Sequence, residues 1–534
     1  MGAPVGPHRG VPVKKKRLAA LDIGTNSIRS IVVEADQDGT FRVLDDEKAT
    51  VRLGDGLHRT GVLSADSQHR ALEALARFCK INTGYGVLRT EAIATSAVRK
   101  AQNGVDFIRE VQKVTGLTVS VVTGEEEAEL AALSAFNNFD MNGSRHLLAD
   151  LGGGSLELVT SVGSHLENIV SLELGAVYLT ETFLHCDPIK EGALRRLRRH
   201  IRGALRLAFP GERPSLHSVI GSGGTFTAIA AMIAASREEV FSSLHGYELL
   251  HADVVHLLAM LSRTTLAERR NLPGLNPDRA DIIVAGVAVV EALLDFFQGN
   301  LLKVNERGIR EGIILRALQR NGFGHGEPRQ RTWKDAVQEF AVSCHYDAEH
   351  SRHVAILAEE IFRAVAASHN LGERERQLLE AATILHDIGY FINYTGHHKH
   401  SYHLIRHAEL FGFTPREREL VAQIARYHRK SLPGLKHLEY QRLAKSDRVL
   451  VAQLGGILRL ADGLDRRRNS LISGLDLTLN KSRLTIRLQG EGDLSVELFA
   501  AKAKGELFEK ADELIFLKQS PVQFFQQVVF YQKI

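Results

Sequence analysis

The pattern Asp-x-Gly-x-x-Ser occurs twice in this chain. It reads Asp22-Ile23-Gly24-Thr25-Asn26-Ser27 and, 128 residues later, Asp150-Leu151-Gly152-Gly153-Gly154-Ser155. Each copy follows an apolar run that reads as a strand, Arg17–Ala20 and His146–Ala149. One such loop constrains little. Two at a domain-sized interval point to a duplicated fold with two facing hairpins that hold phosphate. Glycine lets the backbone approach an anion closely and turn its N–H groups toward it. A strand-end aspartate can hold a metal ion or its water, and Mg²⁺ prefers such oxygen ligands. The three successive glycines of the second copy are costly in chain entropy, so a structural need is expected there. A tight hairpin explains those glycines but not the flanking Asp150 and Glu157, which could both face one metal-bound phosphate.

Around these loops strand and helix alternate from about 17 to 135, and again from 136 to 325, an α/β architecture in two related halves. Gly221-Ser222-Gly223-Gly224-Thr225 follows a strand end and opens a helix, which makes a third anion site. Residues 326–472 read as nearly all helix. The tail 473–534 reads as a small α+β domain, with strands at Arg483–Leu488 and Leu494–Leu498 and a helix near Gly505–Leu514. Residues 1–16 are expected to form a disordered basic arm, since Lys14-Lys15-Lys16-Arg17 is not followed by the apolar stretch of a secretory signal.

A net charge of +4 is too mild for nucleic-acid binding by the whole protein. The most apolar window, Ile282–Phe297, is broken by Glu291 and Asp295, and no segment reaches the roughly 20 apolar residues of a membrane span. Three scattered cysteines, Cys79, Cys186 and Cys344, fit a reducing compartment. The expected location is the cytoplasm. The basic run Arg195–Arg202 lies on a helix with an apolar stripe at Leu194, Leu197, Ile201 and Leu205. It reads as a solvated face or as a rail for a polyanion, which Lys399 and Arg466-Arg467-Arg468 would extend.

Between the two loops stands Thr123-Gly124-Glu125-Glu126-Glu127-Ala128, at a strand end and helix start. Acids in a first helical turn usually serve the cap and the dipole. A glutamate aimed into a phosphate cleft can instead take a proton from a water attacking phosphorus, or orient it.

With Ala94-Thr95-Ser96-Ala97-Val98-Arg99 and Gly308-Ile309-Arg310-Glu311-Gly312, these motifs stand in an order that resembles the exopolyphosphatase and guanosine pentaphosphate phosphatase (Ppx/GppA) family. The resemblance covers about residues 17–320. It implies duplicated domains of the actin, sugar kinase and heat-shock chaperone ATPase kind (ribonuclease H-like). It also implies Mg²⁺-dependent, processive removal of the terminal phosphate from inorganic polyphosphate. Glu127 matches the family's catalytic base, and Asp150 and Glu157 match carboxylates that position metal and water. Asp22 would join them as a Mg²⁺ ligand, and Arg99 would clamp a phosphate. Phosphate contacts fall on Gly24, Thr25, Asn26 and Ser27, on Gly152, Gly153, Gly154 and Ser155, and on Ser222, Gly223, Gly224 and Thr225. A monovalent cation such as K⁺ is compatible with such a cleft, and relatives suggest a homodimer. The same motifs fit hydrolysis of guanosine pentaphosphate (pppGpp) to ppGpp, phosphotransfer between polyphosphate and ADP, or a sensor of nucleotides without catalysis.

The helical region carries His350, His386-Asp387, His400, His428 and Asp462. This set resembles the HD superfamily of metal-dependent phosphohydrolases and implies a transition metal held by imidazole and carboxylate. His397 and His398 read as loop surface rather than ligands.

Overall fold

The computed structural model describes residues 16–37, 39–141, 143–211, 213–322, 331–480, 483–511, 514–516 and 527–532. The expected basic arm lies outside the described residues except for Lys16, which opens the first strand. Two compact units divide the chain. The first runs to residue 330, and the second begins at Arg331 and includes residues 241–243.

In the first unit, β1 (Lys16–Ile23), β2 (Ile28–Ala35), β3 (Phe41–Ala49), β4 (Arg89–Ala94) and β5 (Val119–Val121) form a sheet in the order β3-β2-β1-β4-β5. The first three strands are antiparallel neighbours, and β4 and β5 run parallel to β1. A second sheet holds β6 (Arg145–Leu151), β7 (Leu156–Val162), β8 (His165–Leu172), β9 (Ser218–Ser222), β10 (Glu248–Leu250) and β11 (Leu301–Asn305). Its order β8-β7-β6-β9-β11 repeats the first sheet with the same strand senses, and β10 is added at the edge. This is the duplicated actin-like α/β fold. Leu18, Ala19, Ala20 and Leu21 are all buried. A central strand covered on both faces needs no polar alternation.

Helix α1 (Gly124–Asn138) serves both sheets. Ala128, Ala132 and Ala135 pack with Leu148, Val159 and Ile220 of the second sheet. Leu130 joins Leu18, Ala20, Ile31 and Ile93 of the first. Helix α2 (Gly224–Ser236) follows the third glycine loop. Helix α3 (Gly308–Arg320) closes the unit, and its Ile309, Ile313, Ile314 and Leu318 lie in the cluster of Leu18 and Ala20. The expected boundary at 135 and the assignment of the helix before 325 to the second half therefore need correction. That boundary falls inside α1, and the helix returns to the first sheet because its apolar face completes that core.

The apolar window is a buried core helix, Ile283–Phe296. No helix among the described residues is long and apolar enough to cross a membrane. The basic run lies on the helix Glu191–Ala208, with Leu197, Ile201 and Leu205 buried. Arg198 and Arg202 pair with Glu291 and Asp295 at 3.3 and 2.9 Å. The acids that interrupt the apolar helix are thus partners of the basic one.

The second unit packs α4 (Ala348–His369), α5 (Glu373–Leu385), α6 (His397–His407), α7 (Pro415–Arg426) and α8 (Lys445–Leu464) around one core. Strands β12 (Ile472–Asn480), β13 (Arg483–Gly490), β14 (Leu514–Phe516) and β15 (Gln527–Gln532) follow in the order β12-β13-β15-β14. Ile472, Leu484, Ile486 and Phe508 belong to the same core as the helices, so the tail is not a domain with a core of its own. The strand expected at Leu494–Leu498 is instead the start of helix α9 (Ser495–Lys504). There the Asp493 carboxylate accepts the Ser495 N–H at 2.9 Å, a helix start signal, and Ala-Ala-Lys-Ala-Lys follows.

Candidate active site

The two hairpins share one register. Asp22 lies opposite Arg29 in the first, and Asp150 opposite Glu157 in the second. Gly24 donates its N–H to the Ser27 carbonyl at 3.2 Å, and Gly152 donates to the Ser155 carbonyl at 3.0 Å. The turns face each other closely. A Cβ on Gly153 would lie 3.0 Å from the Thr25 side chain, and one on Gly154 would lie 2.6 Å from Ser96 Oγ. The third loop enters at Gly223, whose φ of +99° suits glycine and whose Cβ would stand 2.6 Å from the Leu151 carbonyl. Together the loops line one open cleft.

Asp22, Gly24 to Ser27, Glu127, Asp150, Gly152 to Ser155, Gly223 and Gly224 line that cleft. Four expected site residues stand behind the wall instead. Ser222 Oγ accepts a hydrogen bond from Asn305 at 3.2 Å, and Thr225 Oγ1 accepts one from Arg279 at 3.3 Å. Buried Glu157 accepts one from Ser171 Oγ at 2.9 Å. Arg99 donates through Nη1 to the Val122 carbonyl at 2.6 Å and to Glu127 Oε2 at 3.3 Å. Through Nη1, Arg99 thus braces Glu127.

Helix geometry sorts the three consecutive glutamates. Glu126 closes a capping box with Thr123, accepting its N–H at 2.8 Å and donating to its hydroxyl at 3.1 Å. Glu125 is exposed, and Glu127 alone of the three is buried, at 8% exposure. Burial pushes the Glu127 carboxyl well above the usual range, and Glu157, Asp22 and Asp150 add to this against Arg99. Burial also raises Asp22 to about 6, opposed by Arg29 and Arg310. For Asp150, burial and then Asp22 give a value of about 6, opposed by Arg29. Glu157 is raised by burial and by Asp150, with Ser155, Ser171 and Arg99 pulling the other way.

Four arginines that line the cleft were not among the expected site residues: Arg29, Arg279, Arg307 and Arg310. Burial lowers the pKa of Arg29, as does Arg310, and burial with Arg29 lowers Arg279 to about 10. Crowded guanidinium groups with depressed pKa values favour an incoming polyanion. Arg29 carried a signal, two residues after Ser27, and Arg310 lies in the Gly308–Gly312 motif. Arg279 comes from a turn with no local mark.

The Ppx/GppA phosphatase family model matches residues 31–321, and the model for domain III of that family matches residues 329–498. The chain belongs to the Ppx/GppA phosphatase family. Among solved structures it is similar to the Aquifex aeolicus family member, at 27% identity and a TM-score of 0.50, over 57% of this chain and 99% of that one. An exopolyphosphatase from Cytophaga hutchinsonii is 28% identical with a TM-score of 0.54, over 57% and 98% of the two chains. An exopolyphosphatase-like protein is 26% identical with a TM-score of 0.55, over 58% and 99%. Membership makes this Ppx/GppA protein a phosphatase, a hydrolase of phosphate groups.

The region matched by domain III holds a buried histidine–aspartate cluster. His350, His386, Asp387 and His428 converge there with Asp462, whose Oδ1 lies 3.5 Å from His350 Nε2. Two of the sequence expectations are corrected. His397 belongs to the cluster, with Nε2 3.2 Å from Asp387 Oδ1, and His400 does not. The reason is helical phase. Gly396, at φ 76°, is the N-cap of α6, so His397, Ser401 and Ile405 share the inward face and His400 falls off it. The sequence reading also missed Asp465, which accepts from His350 Nδ1 at 2.7 Å. Arg467 and Arg468 are engaged by Glu497 and by Asp347 and Asp387.

Proposed function

We propose that this phosphatase hydrolyses the terminal phosphoanhydride of inorganic polyphosphate, with Glu127 as general base. One observation carries the reading. Glu127 is a buried, partly desolvated carboxylate on the wall of a cleft whose other walls are glycine N–H groups and guanidinium groups. Desolvation makes it a stronger base than a surface glutamate. It would take a proton from the water that attacks the terminal phosphorus. The bridging oxygen would then leave on the shortened chain. Thr25, Asn26 and Ser27 on one side and Gly153, Gly154 and Ser155 on the other would hold the phosphate. Arg29, Arg279 and Arg310 would balance the charge of the phosphates behind it. The lining is built of hydroxyls, N–H groups, carboxylates and guanidinium groups, with Leu151, Ile282 and Ile309 as its apolar members. That chemistry suits a phosphate chain better than a purine, which gains most from an aromatic or apolar wall.

The carboxylates also fit a Mg²⁺ ion. Buried Asp22 Oδ1 and Glu157 Oε2 have no hydrogen-bond partner, and Asp22 and Asp150 are both held high by burial. Asp22 and Asp150 would hold the ion, with Glu157 behind them. When bound, Mg²⁺ neutralises charge on the phosphate oxygens.

Side-by-side kinetics test the substrate. With Mg²⁺, kcat/KM for long-chain polyphosphate should exceed that for guanosine pentaphosphate by about tenfold or more. The reverse ratio would assign the protein to the nucleotide.

A second expectation concerns pH. Burial holds the carboxyls of Asp22 and Asp150 up at about 6, above the usual carboxylate range. A raised carboxylate favours the fold most below pH 3.8, and that contribution is lost as pH rises through 6. The metal-free protein is therefore destabilised at pH 7.5 by two ionised, desolvated carboxylates that the arginines only partly offset, which Mg²⁺ would relieve. Saturating Mg²⁺ should raise the melting temperature of the first unit by about 2–4 °C more at pH 7.5 than at pH 5. Equal shifts at both pH values would remove these aspartates as ligands.

A further inference from the structure

Behind the third glycine loop lies a buried polar network that the chemistry at Glu127 does not use. Strands β9 and β11 run parallel there and end together, with Ser222 in register with Asn305. Asn305 donates from Nδ2 to Ser222 Oγ at 3.2 Å and to Ser134 Oγ at 3.3 Å. Ser134 in turn donates to Glu311 Oε2 at 2.8 Å. All four side chains are buried, Glu311 at 2% exposure. These bonds link the third loop, the helix that carries Glu127, and α3.

Glu311 divides its two carboxylate oxygens between two tasks. Oε2 faces α1 and accepts from Ser134 and Asn138. Oε1 accepts from Arg307 Nη1 at 3.3 Å and from Asn137 Nδ2 at 3.4 Å. Arg307 is the N-cap residue of α3, and Asn305 Oδ1 accepts its backbone N–H at 3.1 Å. It lines the cleft. A Cβ on Gly308 would lie 3.8 Å from Ser222 Cβ, so Arg307 stands beside the third loop. Burial pushes the Glu311 carboxyl up, and the Arg307 guanidinium group is first among the groups that oppose this. The anion at 311 and the cation at 307 therefore support each other.

Resting on the assignment of the cleft to polyphosphate, we propose that Arg307 contacts a phosphate of the bound chain beside the third loop, and that Glu311 is the positioning residue that holds it there. An arginine side chain has many rotamers. Fixing them in advance removes an entropy cost that the ligand would otherwise meet. A guanidinium group is a rigid fork, so tethering one nitrogen sets the direction of the others. A carboxylate behind it also draws on its charge. At 3.3 Å the contact is longer than the usual charge-assisted bond, so Arg307 is oriented while most of its charge still acts on the cleft.

Arg307→Ala, Glu311→Gln and the double variant test this in the full chain. The readouts are calorimetric titration with tripolyphosphate and phosphate release from long-chain polyphosphate with Mg²⁺. Arg307→Ala should weaken tripolyphosphate binding about tenfold. In Glu311→Gln the amide oxygen can keep the bonds to Ser134 and Asn138, while the amide nitrogen turns its N–H groups toward Arg307. Binding should weaken about fivefold, with kcat within about threefold of the parent. The double variant should bind within about twofold of Arg307→Ala, because Glu311 then has nothing to position. Independent effects would multiply to about fiftyfold, and that result would overturn the positioning role. So would parental binding by Glu311→Gln with only its melting temperature lowered. Parental binding by Arg307→Ala would remove Arg307 from the site. A parent protein that binds tripolyphosphate but releases no phosphate would overturn the hydrolytic reading, and the binding ratios would still decide the roles of Arg307 and Glu311. A parent that does not bind it would overturn both.

Discussion

Replacing Glu127 by Gln should lower phosphate release by about 10³-fold while leaving polyphosphate binding within about threefold of the parent. The amide keeps the size of the side chain and an oxygen for Arg99, whose Nη1 stands 3.3 Å from Glu127 Oε2. What it loses is the ability to accept a proton. Binding should survive because the phosphate-holding loops and Arg29, Arg279 and Arg310 are untouched. Glu125→Gln and Glu126→Gln are the matched controls. Glu125 is exposed, and a Gln at 126 can still close the capping box, so both should keep near-parental turnover. Stability should move the opposite way from activity. Burial and three neighbouring carboxylates disfavour the Glu127 anion, so the neutral amide should leave the metal-free protein as stable as the parent or more so. Phosphate release, equilibrium binding and thermal melting on the same variant separate these effects. Turnover within threefold of the parent would remove Glu127 from the role of base.

Gly312→Ala should be the most damaging small substitution in the first unit. A Cβ at Gly312 would lie 1.9 Å from the Leu130 carbonyl oxygen and 2.6 Å from the Leu130 carbonyl carbon. Both are backbone atoms of α1, so no side-chain rotation relieves the clash and the helices must separate. Overpacking of this kind costs about 3 kcal/mol, at the upper end of its usual range. The gain of about 1 kcal/mol from a better helix former does not offset it. The neighbouring Glu311 ties the same helices, accepting from Ser134 Oγ at 2.8 Å and Asn137 Nδ2 at 3.4 Å. Since α1 carries Glu127 in its first turn and α3 carries Arg310, separating them would also shift the carboxylate relative to the arginines. Urea unfolding should show the loss of stability, and kcat should fall with it. A neutral substitution would mean that α1 and α3 do not cross this closely.

The features legible in the sequence are those with a local cause. Glycine loops after apolar runs, strand-end aspartates and a 128-residue repeat mark themselves without knowledge of the rest of the chain. The structure gathers Asp22, Glu127, Asp150 and those loops around one cleft. Features that depend on convergence were not legible. Arg279 reaches the cleft from a turn 54 residues past the end of the third loop. The return of α3 to the first sheet follows from which core lacks an apolar face. The choice between His397 and His400 rests on where one helix begins, and a shift of a single residue at Gly396 changes which histidine points inward. At Leu494–Leu498 the side-chain pattern suited a strand, but the Asp493 start signal and the alanine-rich continuation favoured a helix.

The two hairpins match turn for turn, yet they differ in sign at the position opposite the aspartate, Arg29 in one and Glu157 in the other. Two identical subunits related by a two-fold axis would present the same residue from both sides. A linear substrate would then meet a symmetric site and could enter either way round. Fusing the copies into one chain frees each to change alone. With Arg29 on the cleft wall and Glu157 behind it, equivalent positions have become unlike, which would give the cleft a head and a tail and a direction for any linear ligand it holds.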